Sequence, residues 1–425
     1  MFDVREKPKM VERAFLVGVQ KPGESEEQIH LLLDELDELV QTLGIGIVGV
    51  ETVKLRQPQA RFLMGTGKVD ELLEKVREVQ ADCIVFDVEL SPAQQRNWES
   101  TSGLCVIDRQ EVILDIFSDR AQTKEAVLQV ELAKSEHSLP RLKNAWTHLS
   151  RQRGGGGVTQ RGEGEAQNEL DQRMVRDRIA KLKKELVQVI RHRKTQRKQR
   201  QRLPVPTAAI VGYTNAGKST LLNALTGATV LSEDKLFATL DPTTRQLILD
   251  SGQKLLLTDT VGFVRKLPHR LVDAFRATLE EALVADFLIH LVDASNPEFR
   301  AHEETTLAVL KELGAESKRI LTVYNKVDLH QPSEELGIPE LPRDALKTSA
   351  KTGAGLDKLK AAFEEQLLGD FQKRILMIPH DRYDLINLLH RAGAVKEETA
   401  KPEGVQINAN LPLRLLSQFE KFAIS

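Results

Sequence analysis

Eight consecutive residues, Gly212-Tyr213-Thr214-Asn215-Ala216-Gly217-Lys218-Ser219, follow the apolar run Thr207-Ala208-Ala209-Ile210-Val211 and read G-x-x-x-x-G-K-S. Small residues at this spacing let successive backbone N–H groups wrap a polyphosphate at a helix start, where the helix dipole also favours negative charge. Lys218 would reach the β- and γ-phosphates, Ser219 would bind Mg²⁺, and Thr220 would follow them in the same turn. The alternative is a Gly-rich turn that binds nothing, and the residues downstream bear on it. Thr239 lies in a loop-like segment, 236–244, interrupted by Pro242. A hydroxyl there would be the second protein ligand of Mg²⁺ in the triphosphate state, which makes the segment a candidate switch. After the strand-like Leu255-Leu256-Leu257 come Asp259-Thr260-Val261-Gly262. Asp259 would hold Mg²⁺ through water, and the Gly262 N–H would meet the γ-phosphate.

A further set addresses the base. Asn325-Lys326-Val327-Asp328 follows a strand at 320–324, and the Asp328 carboxylate can accept both N1–H and N2–H of guanine. Adenine offers no such donor pair. A buried acid left without those donors is unpaired, so discrimination against adenine can reach ~10⁴-fold. Thr348-Ser349-Ala350-Lys351 follows a short strand and sets the Ala350 N–H against the guanine carbonyl. A phosphate turn, a strand-end Asp, an Asn-Lys-x-Asp and a Ser-Ala coincide in this order, which points to GTP and GDP as ligands. Lys218, Thr239 and Gly262 are the candidates for the catalytic roles.

The chain that must position these residues has 425 of them, too many for one compact core, so about three domains are expected. Lys and Arg number 60 against 62 Asp and Glu, so polyanion binding must come from local asymmetry. Cys83 and Cys105 both fall in expected buried strands and match no metal or disulfide spacing, which reads as reduced core thiols and fits the cytosol. No apolar run approaches a membrane span, and the charged N-terminus does not resemble a signal peptide.

Strands at 11–20, 45–53, 83–86 and 104–107 alternate with helices at 24–43, 67–80 and from Ser91-Pro92-Ala93-Gln94, a capping box with proline in its first turn. That alternation means a small parallel α/β sheet in residues 1–115. Gly65-Thr66-Gly67-Lys68 could hold a phosphate but is too short for a nucleotide fingerprint, and an ordinary helix start is favoured. From Glu111 a helical pattern runs some forty residues, interrupted at Pro140, to Gly154-Gly155-Gly156-Gly157. A second helix from about Gln167 repeats Val175, Ile179, Leu182, Leu186 and Val189 at steps of four and three, the seam of helix against helix. Residues 116–203 therefore read as a long antiparallel helical hairpin with its tip at 154–164. Thirteen Lys or Arg face two acids, Asp177 and Glu185, between Arg173 and Arg202. This one-signed excess favours a polyanion. Arg151, Arg153 and Arg161 at the tip, with Lys183, Lys184, Arg191 and Arg193 on the helix, are the candidate RNA contacts. Aromatics are 4% of the chain, so folded RNA met through phosphates and shape fits better than base stacking. Residues 204–370 form the P-loop domain, entered through Leu203-Pro204-Val205-Pro206, and 371–425 a small α/β domain whose chemistry is unreadable.

Beyond these readings, the residues resemble the HflX family of P-loop GTPases, within the Obg-HflX group of translation factors. The resemblance rests on 212–219, on Phe237-Ala238-Thr239-Leu240-Asp241-Pro242-Thr243, on Asp259-Thr260-Val261-Gly262-Phe263 and on Asn325-Lys326-Val327-Asp328. Outside the nucleotide domain it extends to Leu90-Ser91-Pro92-Ala93-Gln94-Gln95-Arg96-Asn97, Val106-Ile107-Asp108-Arg109, Ile113-Leu114-Asp115-Ile116-Phe117 and Trp146-Thr147-His148-Leu149. It implies a cytoplasmic, partly ribosome-associated GTPase, here expected to be a monomer. It would bind the large ribosomal subunit and its RNA, splitting or rescuing ribosomes or aiding their assembly, with GTP setting the tight state. The family's hairpin loop usually has Arg-Gly-Pro-Gly-Glu followed by Thr or Ser, whereas this chain has Arg161-Gly162-Glu163-Gly164-Glu165-Ala166. An acid in place of proline loosens the loop and opposes phosphate contact.

Small GTPases orient the attacking water with a glutamine after Asp-x-x-Gly, but Phe263 stands there and can neither donate nor accept a hydrogen bond. Slow intrinsic turnover is expected. Asn215 resembles the P-loop asparagine of GTPases that use K⁺ as a transition-state charge, which would add K⁺ to Mg²⁺. Two other readings remain at this stage: an RNA-binding assembly factor that does not switch, and an ATP-dependent RNA remodeller working through the N-terminal domain.

Overall fold

A computed structural model describes residues 11–142, 161–201, 205–227, 236–237, 239–265, 281–330, 340–369 and 371–424. Two compact units emerge, with the division at Val187 and Gln188.

In the first unit, β1 (Arg13–Gln20), β2 (Gly46–Lys54), β3 (Cys83–Phe86) and β4 (Cys105–Asp108) form a parallel sheet in the order β2-β1-β3-β4. Helix α1 (Glu26–Thr42) starts at a capping box of Ser25 and Gln28 and buries Ile29, Leu32, Leu33, Leu36, Leu39 and Val40. Helix α2 (Thr66–Glu78) begins after Gly65, and Lys68 is tied to Glu71 at 2.9 Å and Glu51 at 3.7 Å, an ordinary helix start. Helix α3 (Pro92–Ser102) has the expected Ser91–Gln94 capping box. It drives Trp98 fully into the core, where the indole N–H donates to the Phe62 carbonyl at 3.0 Å.

Helix α4 (Arg109–Arg120) runs across the expected boundary at residue 115, and α5 (Lys124–Leu142) follows. The interruption in this helical stretch is at 121–123, not at Pro140, which lies inside the last turn of α5. The Thr123 hydroxyl accepts the Ala126 N–H at 3.2 Å and restarts the helix. With no N–H, Pro140 cannot donate to the Glu136 carbonyl, so the helix forfeits one internal hydrogen bond there without breaking. Helix α6 (Arg161–Gln201) starts earlier than expected and takes in Gly162 and Gly164. Of its apolar seam Leu182 is buried, while Val175, Ile179, Leu186 and Val189 are half-buried. Glu131–Arg178 and Glu136–Lys183 ion pairs link α5 to α6. Both pairs advance five residues along each helix, a different order from a strict antiparallel register. The turn of the expected hairpin, with Arg151, Arg153, 146–149 and 154–157, lies outside the described residues.

The expectation of two core thiols needs one correction. Cys83 is buried, but Cys105 is exposed, because β4 is the edge strand of the sheet.

The second unit holds β5 (Thr207–Gly212), β6 (Thr243–Ile248), β7 (Lys254–Asp259), β8 (Phe287–Asp293), β9 (Arg319–Asn325) and β10 (Leu346–Lys347) in the order β10-β9-β8-β5-β7-β6. All pairs are parallel except β6 on β7. Strands β5 and β8 are apolar almost throughout because helices α7 (Lys218–Thr226), α8 (Phe299–Glu312) and α9 (Leu356–Leu368) cover the sheet's faces. A second sheet, antiparallel and ordered β12-β13-β11-β14, contains β11 (Phe371–Ile378), β12 (Val395–Lys401), β13 (Gly404–Pro412) and β14 (Ala423–Ile424). Helix α10 (Tyr383–Ala392) packs on it through Leu385, Ile386 and Leu389. Strand β12 escapes a sequence reading because its charged side chains show no apolar alternation. As an edge strand it needs none, and charge there blocks unwanted pairing.

Candidate nucleotide site

The candidate residues gather at the C-terminal ends of β5, β7 and β9, the place where an open α/β sheet binds its ligand. Between β5 and α7 the loop turns through Asn215 at φ 59° and Gly217 at φ 90°. A Cβ on Gly217 would lie 2.5 Å from Asn325 Nδ2, so a side chain is excluded both by conformation and by space. The Lys218 ammonium donates to the Tyr213 carbonyl at 2.7 Å and the Gly212 carbonyl at 3.2 Å. Burial lowers its pKa to about 8, partly offset by Asp259. An anion arriving there would restore the full charge.

Three oxygens from three elements meet beside it. Ser219 Oγ donates to Asp259 Oδ2 at 2.6 Å and lies 2.7 Å from Thr239 Oγ1. Asp259 is fully buried, burial raises its pKa, and its Oδ1 has no hydrogen-bond partner among the described residues. An orphaned carboxylate oxygen beside two hydroxyls is a hard donor set that fits Mg²⁺.

The two candidate switch segments close on the loop. The Phe237 N–H donates to Thr214 Oγ1 at 2.9 Å. Phe263 adds as a further parallel bridge to Tyr213: the Thr214 N–H donates to the Phe263 carbonyl at 2.7 Å, and the Phe263 N–H to the Gly212 carbonyl at 3.1 Å. A Cβ on Gly262 would sit 2.6 Å from Thr214 Cα and 2.9 Å from Lys218 Nζ, which requires glycine at the point of closest approach. The Phe263 ring is 1% exposed and faces the interior. Thr260 Oγ1 donates to the Ile210 carbonyl at 2.7 Å, and Val261 is buried. Leu240 is buried, and Thr220 and Asp241 are half-buried nearby in sequence; Ala238 lies outside the described residues.

At the base end Asn325 acts as a pin. Its Nδ2 donates to the Ala216 carbonyl at 2.9 Å, while Oδ1 accepts the Ala350 N–H at 3.0 Å and the Thr348 hydroxyl at 3.3 Å. The Ala350 N–H expected to face the guanine carbonyl is thus engaged by Asn325 in this structure. Lys326, at φ 60°, is ion-paired to Asp293 at 2.8 Å. Val327 donates its N–H to the Thr348 carbonyl at 3.2 Å, Ser349 is fully buried, and Lys351 is exposed. Asp328 is exposed rather than buried, because it sits beyond the end of β9 on the rim of the site. Only an overlying base would remove it from water.

Two contributors went unrecognised in the sequence. Asp293 ends an apolar strand as Asp259 does, so the same signal could have found it. His302, on α8, stacks on Tyr213 at 3.7 Å with 5° between the rings, while the Tyr213 hydroxyl accepts the Arg265 N–H at 2.8 Å. No local pattern announces that contact. Among the candidate RNA contacts, Lys183 is paired with Glu136, and Lys184 and Arg191 are exposed. Arg161 and Arg193 lie in α6 with side chains outside the description.

Behind the loop, His290 on β8 is 1% exposed, and burial, followed by the charge of Lys218, lowers its pKa from 6.5 to about 4. Its Nδ1 has no partner among the described residues. The unfolded chain takes up a proton here at a higher pH than the fold does. Stability from this group is therefore complete above pH 6.5 and is lost as pH falls towards 4, by about 3 kcal/mol in total. Urea midpoints at pH 5 and pH 7 should differ less in His290→Leu than in the parent chain; equal differences would contradict this assignment.

Residues 207–326 match the family model described as 50S ribosome-binding GTPase, 31–118 the GTP-binding GTPase N-terminal model, and 120–200 the GTP-binding GTPase middle region. A protein named GTPase HflX from Akkermansia muciniphila is 51% identical over 442 residues, covering 99% of each chain. Proteins of the same name from Chlamydia pneumoniae and Escherichia coli are 43% and 40% identical; they cover 99% and 90% of this chain and 90% of their own length.

Proposed function

The chain belongs to the HflX family of GTPases, and from that premise we propose that it is a GTP-driven switch acting on the large ribosomal subunit. The observation that carries this reading is the convergence of Ser219, Thr239 and Asp259 beside a buried Lys218, with Thr239 belonging to the segment that precedes β6. A terminal phosphate that engages Lys218 and the Gly262 N–H would hold the two segments in place. Its loss would release them.

The residues divide the work as follows. Backbone N–H groups of 212–219 cradle the phosphates, and Lys218 neutralises charge that builds on the transferring phosphoryl group. Ser219, Thr239 and, through water, Asp259 would hold Mg²⁺, which when bound supplies positive charge at the phosphate oxygens. Asp328 selects guanine, and Asn325 fixes the base loop to the phosphate loop. The attacking water is not served by Phe263, whose ring is turned inward, so a group from the ribosome or a rearranged switch must orient it. Turnover measured with and without purified large subunits tests the proposal: stimulation is expected, and fast GTP hydrolysis by the isolated protein would contradict it.

Asn215 lies in the phosphate loop at φ 59°, and on this reading it would help bind K⁺ at the transition state. Replacing K⁺ by Na⁺ should then slow turnover by about tenfold, less than the roughly 10²–10³-fold cost of losing a whole electrostatic contact, because Na⁺ keeps the charge. Equal rates in the two salts would leave Asn215 a purely structural part of the loop.

On the ribosome the exposed basic face of α6, with Lys184 and Arg191, and the arginines at 151, 153 and 161 would meet RNA phosphates. Splitting, rescue or assembly of ribosomes would follow from a grip that GTP tightens. Among the described residues no helix is long and apolar enough to cross a membrane.

A further inference from the structure

Cys83 and Cys105 are Cα partners in the parallel register of β3 and β4. Neighbouring strands lie about 4.8 Å apart, and partners in parallel register project from the same face of the sheet. That separation falls inside the roughly 4.4–6.8 Å Cα range that a disulfide spans. Cys83 is fully buried, Cys105 opens to solvent at the sheet edge, and both are free.

We propose that these two residues form a peroxide-sensitive dithiol, in which Cys105 meets the oxidant and Cys83 resolves it to an intrachain disulfide. The asymmetry suits the roles. Contact with the facing Cys83 thiol lowers the Cys105 pKa, with burial opposing, whereas the same contact and burial raise that of Cys83. A solvent-facing sulfur with more thiolate character is the one that reacts first. Cys105 sulfur attacks a peroxide oxygen, the O–O bond breaks, and the departing hydroxide leaves as water with the thiol's proton. Cys105 is then a sulfenic acid. Cys83 sulfur attacks it, the S–O bond breaks, and a second water leaves with the Cys83 proton. Two thiols are oxidised and one hydrogen peroxide is reduced to two waters.

Closing the bond must draw the paired Cβ atoms from about the strand spacing to about 3.8 Å, so the disulfide would be strained and readily reduced. Such a bond is reversible by a dithiol. This inference is independent of the nucleotide reading.

The test uses the full-length protein in its native state, treated with hydrogen peroxide. The expected result is loss of both free thiols, a decrease of about 2 Da in intact mass, a cross-linked peptide joining Cys83 to Cys105, and full recovery with dithiothreitol. Cys83→Ser should instead leave a sulfenic acid on Cys105 that dimedone traps. Should that core variant not fold, Cys105→Ser at the edge serves equally, and its buried Cys83 should then resist the same peroxide. Unreacted thiols in the parent protein, or Cys105 gaining oxygen with no cross-link, would overturn the proposal.

Discussion

Asp328→Asn is expected to move the base site from guanine towards xanthine nucleotides, lowering GTP affinity by about 10²–10⁴-fold, the equivalent of two charge-assisted hydrogen bonds at 1.5–3 kcal/mol each. Guanine offers two N–H donors on one edge, and a carboxylate accepts both. An amide presents one acceptor and one donor, so one pairing becomes a clash of donors, while the C2 carbonyl of xanthine can accept from the new amide. The exposure of Asp328 matters for the size of the effect. An acid that water can reach in the empty site loses less when the wrong base binds than a buried one would, so the penalty falls short of the largest polar discriminations. Competition between GTP and XTP for the variant measures it. Undiminished GTP preference would remove Asp328 from the base site.

The second large effect is on chemistry. Lys218→Ala should reduce GTP turnover by at least about 10²–10³-fold, since loss of one preorganised charged donor in a water-excluded site costs roughly 3–4 kcal/mol of transition-state stabilisation. Lys218 is 7% exposed and held by two loop carbonyls, so its position is set before any phosphate arrives. Its removal leaves two carbonyls short of a donor but also takes a costly buried charge away, and the fold should survive. Single-turnover rates, with thermal unfolding alongside, separate the two. Parent-like turnover in a folded variant would contradict the assigned role, and ATP hydrolysis that persists in it would point to the N-terminal domain.

Much of this site was legible because its chemistry depends on short, local spacings. Gly217, Lys218 and Ser219 must be consecutive for a loop to wrap phosphate, and Asn325 and Asp328 must share one strand end. The structure places them together by the parallel order of β5, β7, β8 and β9, itself readable from apolar strands alternating with helices. What escaped was non-local. His302 reaches Tyr213 from a helix some ninety residues on, and its partner cannot be guessed from spacing. Cys105 looked like a core thiol because Cys105-Val106-Ile107 is apolar, but strand order puts β4 at an edge. Pro140 looked like a helix break, yet the Thr123 cap, a weaker signal, marks the real one. Asn325 illustrates a subtler gap: its motif announced nucleotide binding, whereas its contacts here are to Ala216 and Ala350.

Co-sedimentation of the protein with purified large ribosomal subunits, in GTP held unhydrolysed by a non-cleavable analogue and in GDP, tests the central claim most directly. The account predicts at least about tenfold tighter binding with the triphosphate form, because a ligand shifts a two-state equilibrium only through differential affinity. Equal affinity in the two nucleotides would contradict it and leave an enzyme without a switch.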